Sequence, residues 1–448
     1  MTNRLSQKIT TGSLIKFALP TTIMLIFMSL YQMVDGVFVA NFVGSNALSA
    51  LNIVYPVPSI IVAVSIMLAT GGSAIIAKNM GEQKDQEAKE NFSLILLTGF
   101  LFGMAFLLVG VVFIKPLIFL LGATPSLYDY CYDYLFILIV AAPLAVFQML
   151  FQTFFVTAGK PNLGLTTTVI GGCVNIVFDY LFIAVFHMGV TGAAIATAMG
   201  YAVPAVVGLL YFTFNRKGTL YIVKPVFRKK VLFYSCTNGS SEMVNNIAVS
   251  ITTFLFNILM LQYAGEAGVA AITVVLYAQF LMTSVFMGFS SGIAPMISYN
   301  YGQQNRPQLK NLFRISIRIV VIVSLFIFLI SLLFAPYVVR VFTTPESGVF
   351  QIAKHGFLLF SISFLFTGIN IFSSAMFTAF SNGKVSAIIS FLRTFVFLVL
   401  CLLLLPLFLE IDGIWIAVPV AEALAFVVSI FYLAIHRKTY HYMDVKAN

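Results

Sequence analysis

Residues 91–114, NFSLILLTGFLFGMAFLLVGVVFI, form an apolar run without a charge between Glu90 and Lys115. A helix that crosses a bilayer needs about 20 mostly apolar residues, so this stretch predicts a membrane span. The whole chain has the same character, because 60% of its 448 residues are hydrophobic, 9% are charged and the mean hydropathy is +1.01. Polar side chains could not cover that much apolar surface in water. The composition therefore excludes a soluble protein.

Polar interruptions divide the chain into twelve segments of span length. The predicted spans are 14–42, 51–77, 91–114, 131–157, 163–186, 190–213, 233–262, 268–298, 312–334, 353–380, 386–409 and 413–435. Their apolar runs are continuous, whereas a membrane β-barrel needs residues that alternate between lipid and lumen. We therefore predict an all-α polytopic membrane protein.

Lysine and arginine predict the orientation of these spans. With the N-terminus in the cytoplasm, all but three of the 25 basic residues lie at cytoplasmic ends, the exceptions being Lys115, Arg340 and Lys354. Twelve is an even number, so we expect both termini in the cytoplasm and a multi-pass protein of the plasma membrane, the inner membrane of a bacterium. The net charge of +10 follows from this topology and does not indicate a nucleic-acid partner.

The second half of the chain repeats the first at an offset of 221 residues. The matching pairs include Gly71 and Gly292, Lys89 and Lys310, Phe92 and Phe313, Phe151 and Phe372, and Thr157 and Thr378. Six spans per repeat predict two pseudo-symmetric six-helix lobes around a central cleft. We expect an N-terminal lobe at 1–214, a basic cytoplasmic linker at 215–232, and a C-terminal lobe at 233–448 with a basic cytoplasmic tail. This architecture favours a carrier over an enzyme or a receptor.

Four acids lie inside predicted spans, namely Asp35, Asp179, Glu242 and Glu422. Each costs about 2.5–3.5 kcal/mol at the centre of a span, so each needs a physical reason. Tyr31 precedes Asp35 by one helical turn, and Asn175 precedes Asp179 in the same way. Thr197 in the sixth span adds another oxygen. We interpret these five residues as a site for a coupling cation.

Carboxylates with amide and hydroxyl neighbours suit either a shared proton or Na⁺, for which Asp35, Asn175 and Asp179 would be the ligands. The equivalent positions in the second repeat are Phe256, Val396 and Leu400, so we expect the ion chemistry in the N-terminal lobe. The alternative is that the acids only hydrogen-bond to neighbouring helices.

The substrate cleft is predicted from fewer signals. Its candidate residues are Glu242, Asn245, Met287, Phe151 and Phe154. A carboxylate would attract an amphipathic cation, and Met and Phe side chains adapt to varied apolar ligands. Glu242 could instead be the partner of Arg393. Glu422 is predicted to bond to another helix.

Several classes of protein lack their signature here. The sequence has no P-loop, GxGxxG, HExxH or GxSxG motif, and its four histidines are not spaced as metal ligands. We therefore expect no cofactor and no enzymatic activity. A membrane-embedded enzyme would need a histidine beside a carboxylate at the membrane surface, and no such partner for His187 or His355 is evident in the sequence.

Several motifs resemble the multidrug and toxic compound extrusion (MATE) family, in the bacterial and archaeal branch of the MOP flippase superfamily. They are LPTTIMLIFMSLYQMVDGVFVANFVG at 19–44, GEQKDQEAKENF at 81–92 with its repeat GQQNRPQLKNLF at 302–313, TAGKPN at 157–162 and NIVFDYLF at 175–182. The similarity extends over essentially the whole chain. Asp35 matches the first-span acid of that family, and Asn175 and Asp179 match its fifth-span pair.

The resemblance implies an antiporter that exports amphipathic organic cations in exchange for H⁺ or Na⁺ by alternating access, as in antibiotic resistance. We expect it to act as a monomer. It also implies that Tyr31 and Thr197 neighbour the cation site. Glu242 resembles a seventh-span acid of another branch, but this sequence lacks the tenth-span acid that accompanies it there. The alternative within transport is a flippase for lipid-linked or polysaccharide precursors, for which Arg393 is the candidate phosphate ligand.

Overall fold

The computed structural model describes residues 4–43, 45–340, 343–344 and 346–443, and the side chains of some helical residues, Asp35 among them, lie outside this description. Within it the chain is helical and has no strand. The helices are α1 (Thr11–Phe42), α2 (Ser45–Val54), α3 (Pro56–Gly81), α4 (Asp85–Leu120), α5 (Tyr128–Val140), α6 (Ala142–Thr157), α7 (Pro161–Asp179), α8 (Gly189–Phe214), α9 (Lys229–Gly302), α10 (Arg306–Arg340), α11 (Gly348–Ser361), α12 (Phe364–Ala379), α13 (Gly383–Phe391), α14 (Leu398–Leu404) and α15 (Pro406–Tyr440). A 3₁₀ turn precedes α1 at Arg4–Ser6, and π-helical turns follow α7 at Tyr180–Val185 and α13 at Leu392–Phe397.

These helices account for the twelve predicted spans. In the described residues, nine helices are long and apolar enough to cross a membrane, and the bent pairs α5–α6 and α11–α12 raise the number to eleven. Helix α9 contains two spans, because Gly265 has a φ of 63° and interrupts its 74 residues. At 1.5 Å per residue an unbroken helix of that length would be about 110 Å long, far more than a bilayer is thick. The predicted all-α membrane fold is therefore confirmed.

The chain packs as two compact units, and most of the first is Ile23–Gly239. Near one end of this unit, five rings from α4, α6 and α8 form a fully buried cluster of Phe92, Phe151, Phe154, Phe155 and Phe212. Near the other end, aliphatic side chains pack around the buried Cys131 of α5. Apolar side chains therefore hold the unit together at both ends.

The second unit combines Ser6–Thr22 with the chain from Ser240 on. Its core surrounds Trp415 of α15, which is fully buried and lies against Gly356 of α11. Any side chain at Gly356 would overlap the indole ring. The predicted lobes at 1–214 and 233–448, with the linker at 215–232, remain a prediction.

Each unit contains the first turns of a helix whose remainder belongs to the other unit. In the first unit the start of α9 crosses α3 where Gly239 lies against the backbone of Met67, and Gly71 against that of Ser235. In the second unit the start of α1 crosses α9 at Gly292, where a Cβ would lie 3.1 Å from Cα of Ala18. Gly71 corresponds to Gly292 in the repeat, and Ala18 to Gly239. The two crossings are thus equivalent, and small residues allow both.

Candidate functional site

Helix α7 carries the predicted pair Asn175 and Asp179 on one face, because the two residues are one turn apart. Both side chains are buried, with 3% of Asn175 and none of Asp179 exposed. Directly after Asp179 the helix widens into the π-helical turn Tyr180–Val185. Such turns occur frequently at functional sites. The carboxylate therefore lies where the helix changes its geometry.

Tyr31 of α1 lies against the same helix. A Cβ at Gly172 would lie 3.1 Å from Cδ1 of Tyr31 and 2.5 Å from Cε1 of Phe27, so the absence of a side chain lets both rings approach α7. Gly172 precedes Asn175 by three residues, which puts the two positions on adjacent turns of one face. The ring of Tyr31 therefore packs against the turn of α7 that precedes Asn175.

Helix α8 brings Thr197 to this group. At Gly200 of α8 a Cβ would lie only 3.1 Å from Cβ of Asn175, which is a very close approach between the two helices. Thr197 precedes Gly200 by three residues and lies on the same face of α8. Small residues commonly allow such close contacts between membrane helices.

Two buried oxygens in this group accept no hydrogen bond from the described residues. Oδ1 of Asn175 and Oγ1 of Thr197 are buried and have no hydrogen-bond partner among the described residues. A buried acceptor left in this way costs about 1–3 kcal/mol, and most buried polar groups avoid the cost. Oxygens of amides, hydroxyls and carboxylates are what Na⁺ or a protonated group would use there.

Asp35 lies in α1 one turn after Tyr31, but its side chain is outside the described residues. The predicted Asp35–Asp179 pair and the Na⁺ ligand set of Asp35, Asn175 and Asp179 therefore remain predictions. Among the described side chains, no group of three or more His, Cys, Asp or Glu is placed to hold a metal ion.

Buried glutamines in the same unit are a polar feature that the sequence analysis missed. Nε2 of Gln152 in α6 donates to Oγ1 of Thr168 in α7 at 3.0 Å, in a buried setting. Gln148, one turn earlier, is 3% exposed, and its Oε1 has no partner among the described residues. Thr168 lies two turns before Asn175, so buried polar groups continue along α7. Two glutamines four residues apart in an apolar span were the available signal.

In the second unit, the buried acid Glu422 is paired with a basic side chain. Nε of Arg393 donates to Oε1 of Glu422 at 2.8 Å, and only 11% and 7% of the two side chains are exposed. Nδ2 of Asn370 donates to the other carboxylate oxygen at 2.7 Å, and Oγ of Ser429 donates to Oδ1 of Asn370 at 2.9 Å. The helix-to-helix bond predicted for Glu422 is present. Glu422, and not Glu242, is the hydrogen-bonded partner of Arg393.

The comparison with known proteins assigns this architecture to a family. The MatE family model matches residues 20–181 and 243–403. The chain belongs to the MatE family. The two matched segments correspond to the two repeats, which confirms the resemblance found in the sequence.

Other MatE-family proteins resemble the chain over nearly its full length. Multidrug export protein MepA from Staphylococcus aureus (strain bovine RF122 / ET3-1) is 22% identical over 92% of this chain and 91% of its own. MepA from Staphylococcus saprophyticus is 23% identical, with 84% and 83% covered. A solved outward-facing multidrug resistance MATE family transporter superposes with a TM-score of 0.92 at 23% identity, covering 99% of each chain. This MatE-family chain is accordingly a multi-pass membrane transporter for small molecules.

The substrate residues predicted for this MatE-family chain are not all accessible. Phe151 and Phe154 are fully buried in the ring cluster of the first unit, where they pack against Phe92 and Phe212. This closed packing differs from the predicted role in lining a cleft. Met287 is half-buried against the core of the second unit. Of these three side chains, only that of Met287 is partly exposed.

Glu242 is half-buried in α9, and Asn245 hydrogen-bonds its carboxylate. Arg393 also acts on Glu242 through its charge, although its hydrogen bond goes to Glu422. A cavity of about 780 Å³ lies elsewhere in the second unit, and its lining includes neither Glu242 nor Met287. Its lining includes Phe254, Ile258 and Tyr277, with Glu266 as the carboxylate.

Proposed function

We propose that this chain is a secondary antiporter that exports amphipathic organic cations in exchange for H⁺ or Na⁺ by alternating access. The observation that carries the proposal is the group of Tyr31, Asn175, Asp179 and Thr197, which buries a carboxylate and two oxygens without a hydrogen-bond partner among the described residues. The MepA relatives are multidrug export proteins, which supports efflux as the direction of transport.

In the proposed mechanism, Asp35 and Asp179 share the coupling cation. If H⁺ is the coupling ion, the two carboxylates would hold one proton between them. If Na⁺ is the coupling ion, the carboxylates and Oδ1 of Asn175 supply hard oxygen ligands. Cation binding neutralises the site and removes the electrostatic cost of the conformation that closes around it. The organic cation then leaves on the outer side.

Glu242, Asn245 and Met287 are the substrate side chains that we retain. The half-buried Glu242 with its neighbour Asn245 offers a negative charge, and the half-buried Met287 offers an adaptable apolar side chain. Phe151 and Phe154 are not part of this proposal because their rings are fully buried. We further propose that the protein acts as a monomer in the bacterial inner membrane, with both termini in the cytoplasm.

The arrangement of charged side chains in the spans supports a flippase less well than an antiporter. A lipid pyrophosphate needs free guanidinium or ammonium groups in the cleft. Arg393 is the candidate in the spans, and its guanidinium is already bonded to Glu422. A site that recognises phosphate would have to break this pair.

The enzyme alternative gains one feature that the sequence did not reveal. Nε2 of His355 lies 2.8 Å from Oδ1 of Asp412, so this histidine does have a carboxylate partner. The two side chains are 58% and 46% exposed, and the imidazole has no other hydrogen bond among the described residues. Exposed pairs of this kind contribute little, and catalysis would also need a nucleophile that the histidine activates, so the pair alone does not favour an enzyme.

Dye efflux from proteoliposomes tests the proposal. A fluorescent lipophilic cation is loaded, and a proton gradient or a Na⁺ gradient is imposed separately on the native protein, Asp35→Asn and Asp179→Asn. We expect one gradient to drive efflux and both variants to lose it. Asp129→Asn, which changes an exposed acid in the first turn of α5, is the matched control and should retain transport. Equal efflux by Asp179→Asn and native protein would rule out the proposed coupling site.

A further inference from the structure

The segment that joins α8 to α9 is an ordered strap, here defined as residues 215–228. It has no helix, yet side chains hold it to the first unit at several points. The backbone N–H of Val223 donates to Oγ of Ser93 at 2.9 Å, and Nη2 of Arg228 donates to Glu90 at 2.6 Å. Nζ of Lys89 lies 4.4 Å from the centre of the Tyr221 ring and donates to its hydroxyl at 3.2 Å. The strap therefore has a defined path.

Although the strap is fixed, its last residues and the first turns of α9 present large apolar side chains outward. Phe227 is 68% exposed, Phe233 is 65% exposed and Tyr234 is 57% exposed. The rings of Phe233 and Tyr234 contact each other in an edge-to-face arrangement with centroids 5.8 Å apart. Tyrosine is enriched at the boundary between lipid head groups and acyl chains, and exposed phenylalanine rings beside it add apolar surface that lipid can cover.

Lysines accompany these rings. Lys224, Lys229 and Lys230 are exposed, and in the part of the chain that the structure describes their ammonium groups have no carboxylate partner. Two carboxylates at this end of the unit are already paired, Glu82 with Lys84 and Glu90 with Arg228. Asp85 and Glu87 also lie at this end, but the nine basic residues within 78–90 and 216–230 outnumber the four acids within 82–90, so the surface carries a net positive charge.

The sequence spacing in α9 puts each lysine on the same helix face as an aromatic ring. Lys229 and Phe233 are four residues apart in α9, as are Lys230 and Tyr234, so each lysine lies one turn from an aromatic ring on the same face. One turn is about 5.4 Å along the helix, with the rings on the side toward the membrane span. An anionic phospholipid has the complementary arrangement, because its phosphate lies just outside the level of its ester groups and acyl chains.

We propose that Lys224, Lys229 and Lys230, with Phe227, Phe233 and Tyr234, form a binding site for an anionic phospholipid at the strap end of the first unit. The lysines contact the head-group phosphate, and the rings lie at the level of the ester groups. The proposal goes beyond the transport function and does not depend on it, because lipid binding needs neither a substrate nor a gradient.

Native mass spectrometry of the purified, delipidated full chain tests this site. The protein is titrated with phosphatidylglycerol and, separately, with phosphatidylcholine of the same acyl chains. We expect tighter retention of phosphatidylglycerol by the native protein. Each lysine near an anionic lipid contributes about five-fold in affinity, so Lys224→Gln/Lys229→Gln/Lys230→Gln should weaken the tightest phosphatidylglycerol site by roughly 100-fold.

A matched variant controls for total charge. Lys384, Arg437 and Lys438 are exposed basic residues of the second unit, and their triple change to Gln should leave the tightest site intact. Phe227→Ser/Phe233→Ser should weaken both lipids while preserving the preference for phosphatidylglycerol. Unchanged melting temperatures and monodisperse elution establish that the exposed substitutions leave the fold intact.

Three results would overturn the proposal. The first is native affinity for phosphatidylglycerol in the lysine triple variant, and the second is an equal loss in both triple variants, which would indicate a bulk charge effect. The third is displacement of the lipid by inorganic phosphate at equal concentration, which would indicate a site for a free anion.

Discussion

At the scale of single residues, the two units bury their acids in opposite ways. Asp179 lies among acceptor oxygens, two of which have no partner in the described chain. Glu422 uses both carboxylate oxygens, one for Arg393 and one for Asn370. The first arrangement is the one that we propose for cation binding, whereas in the second the carboxylate is already paired with a guanidinium. A buried acid is therefore a signal of function only when its partners are known.

The Arg393–Glu422 pair is expected to stabilise the second unit against loss of either partner. Glu422→Leu leaves a buried guanidinium unpaired and should lower the free energy of unfolding by about 3–5 kcal/mol. Arg393→Leu/Glu422→Leu should recover most of that loss, because no isolated charge remains. Thermal melting of the purified variants measures both, with the exposed Glu266→Leu as the control. Equal melting temperatures for the single and double variants would contradict this account.

Tyr442 is expected to make stability fall at high pH. Burial raises the pKa of its phenol above the usual value near 10, and its hydroxyl donates to the carbonyl of Leu433 at 2.6 Å. Above about pH 10 the unfolded chain ionises this phenol while the folded chain keeps it protonated, so the stabilisation present at lower pH is lost as the pH rises.

Tyr442→Phe should melt earlier than native protein at pH 8 and show a smaller further decrease up to pH 11. Melting curves across that range measure the difference, with Tyr130→Phe at an exposed position as the control. Parallel pH curves for Tyr442→Phe and native protein would show that the buried phenol does not carry the effect.

At the scale of helices, the same contacts recur in both repeats. Tyr442 is 221 residues after Tyr221, and each ends a repeat by packing on its third span. Tyr221 covers Lys89, and Tyr442 lies 4.8 Å from the ring of Phe313, which is the repeat partner of Phe92 one turn after Lys89. The strap and the end of the chain are thus equivalent elements. Each packs against the start of the third span of its own repeat.

The crossing of α3 and α9 is expected to be intolerant of any side chain. A Cβ at Gly71 would overlap the backbone carbonyl of Ser235, and one at Gly239 the backbone of Met67. Backbone atoms cannot move aside like the end of a side chain, so Gly71→Val should cost at least about 1–3 kcal/mol. Gly12→Ala in α1 is the control, because nothing lies within 4 Å of its added Cβ.

Thermal melting and the yield of monodisperse protein measure this effect. Gly71→Val should melt well below native protein, and Gly12→Ala should not. A Gly71→Val protein with native stability would show that the two helices do not approach as closely as described.

At the scale of the whole molecule, the duplicated halves have diverged in chemistry while the fold has stayed the same. The residues proposed for the cation site in the first repeat correspond to Phe256, Val396 and Leu400, and Phe256 is 2% exposed in the core of the second unit. The second repeat instead contains the Arg393–Glu422 pair and Glu242. This asymmetry predicts that cation coupling and substrate binding can be separated by mutation.

Glu242→Gln should raise the dye concentration that gives half-maximal efflux several-fold, since a charge that attracts the organic cation is lost, and should leave the cation dependence unchanged. Asp179→Asn should abolish gradient-driven efflux while the binding of dye to the purified protein persists. Initial efflux rates and fluorescence anisotropy measure the two effects. A shared loss of dye binding in Asp179→Asn would contradict the separation of roles.

Much of this architecture could be predicted from the chain alone, because a bilayer imposes its thickness and its lack of hydrogen-bonding partners on any sequence that enters it. Long apolar runs determined the twelve spans, and the 221-residue offset indicated the duplication that the two MatE matches repeat. Helical spacing alone also puts Asn175 and Asp179 on one face of their span.

Only the tertiary structure decided which partners those residues meet. Glu422 and Arg393 are 29 residues apart, His355 and Asp412 are 57 apart, and no local pattern links either pair. Phe151 and Phe154 are suitable for a cleft by composition, yet packing buries them in a closed core. Lipid exposure and helix spacing are local properties of a sequence, whereas contacts between distant helices depend on how every span packs against its neighbours.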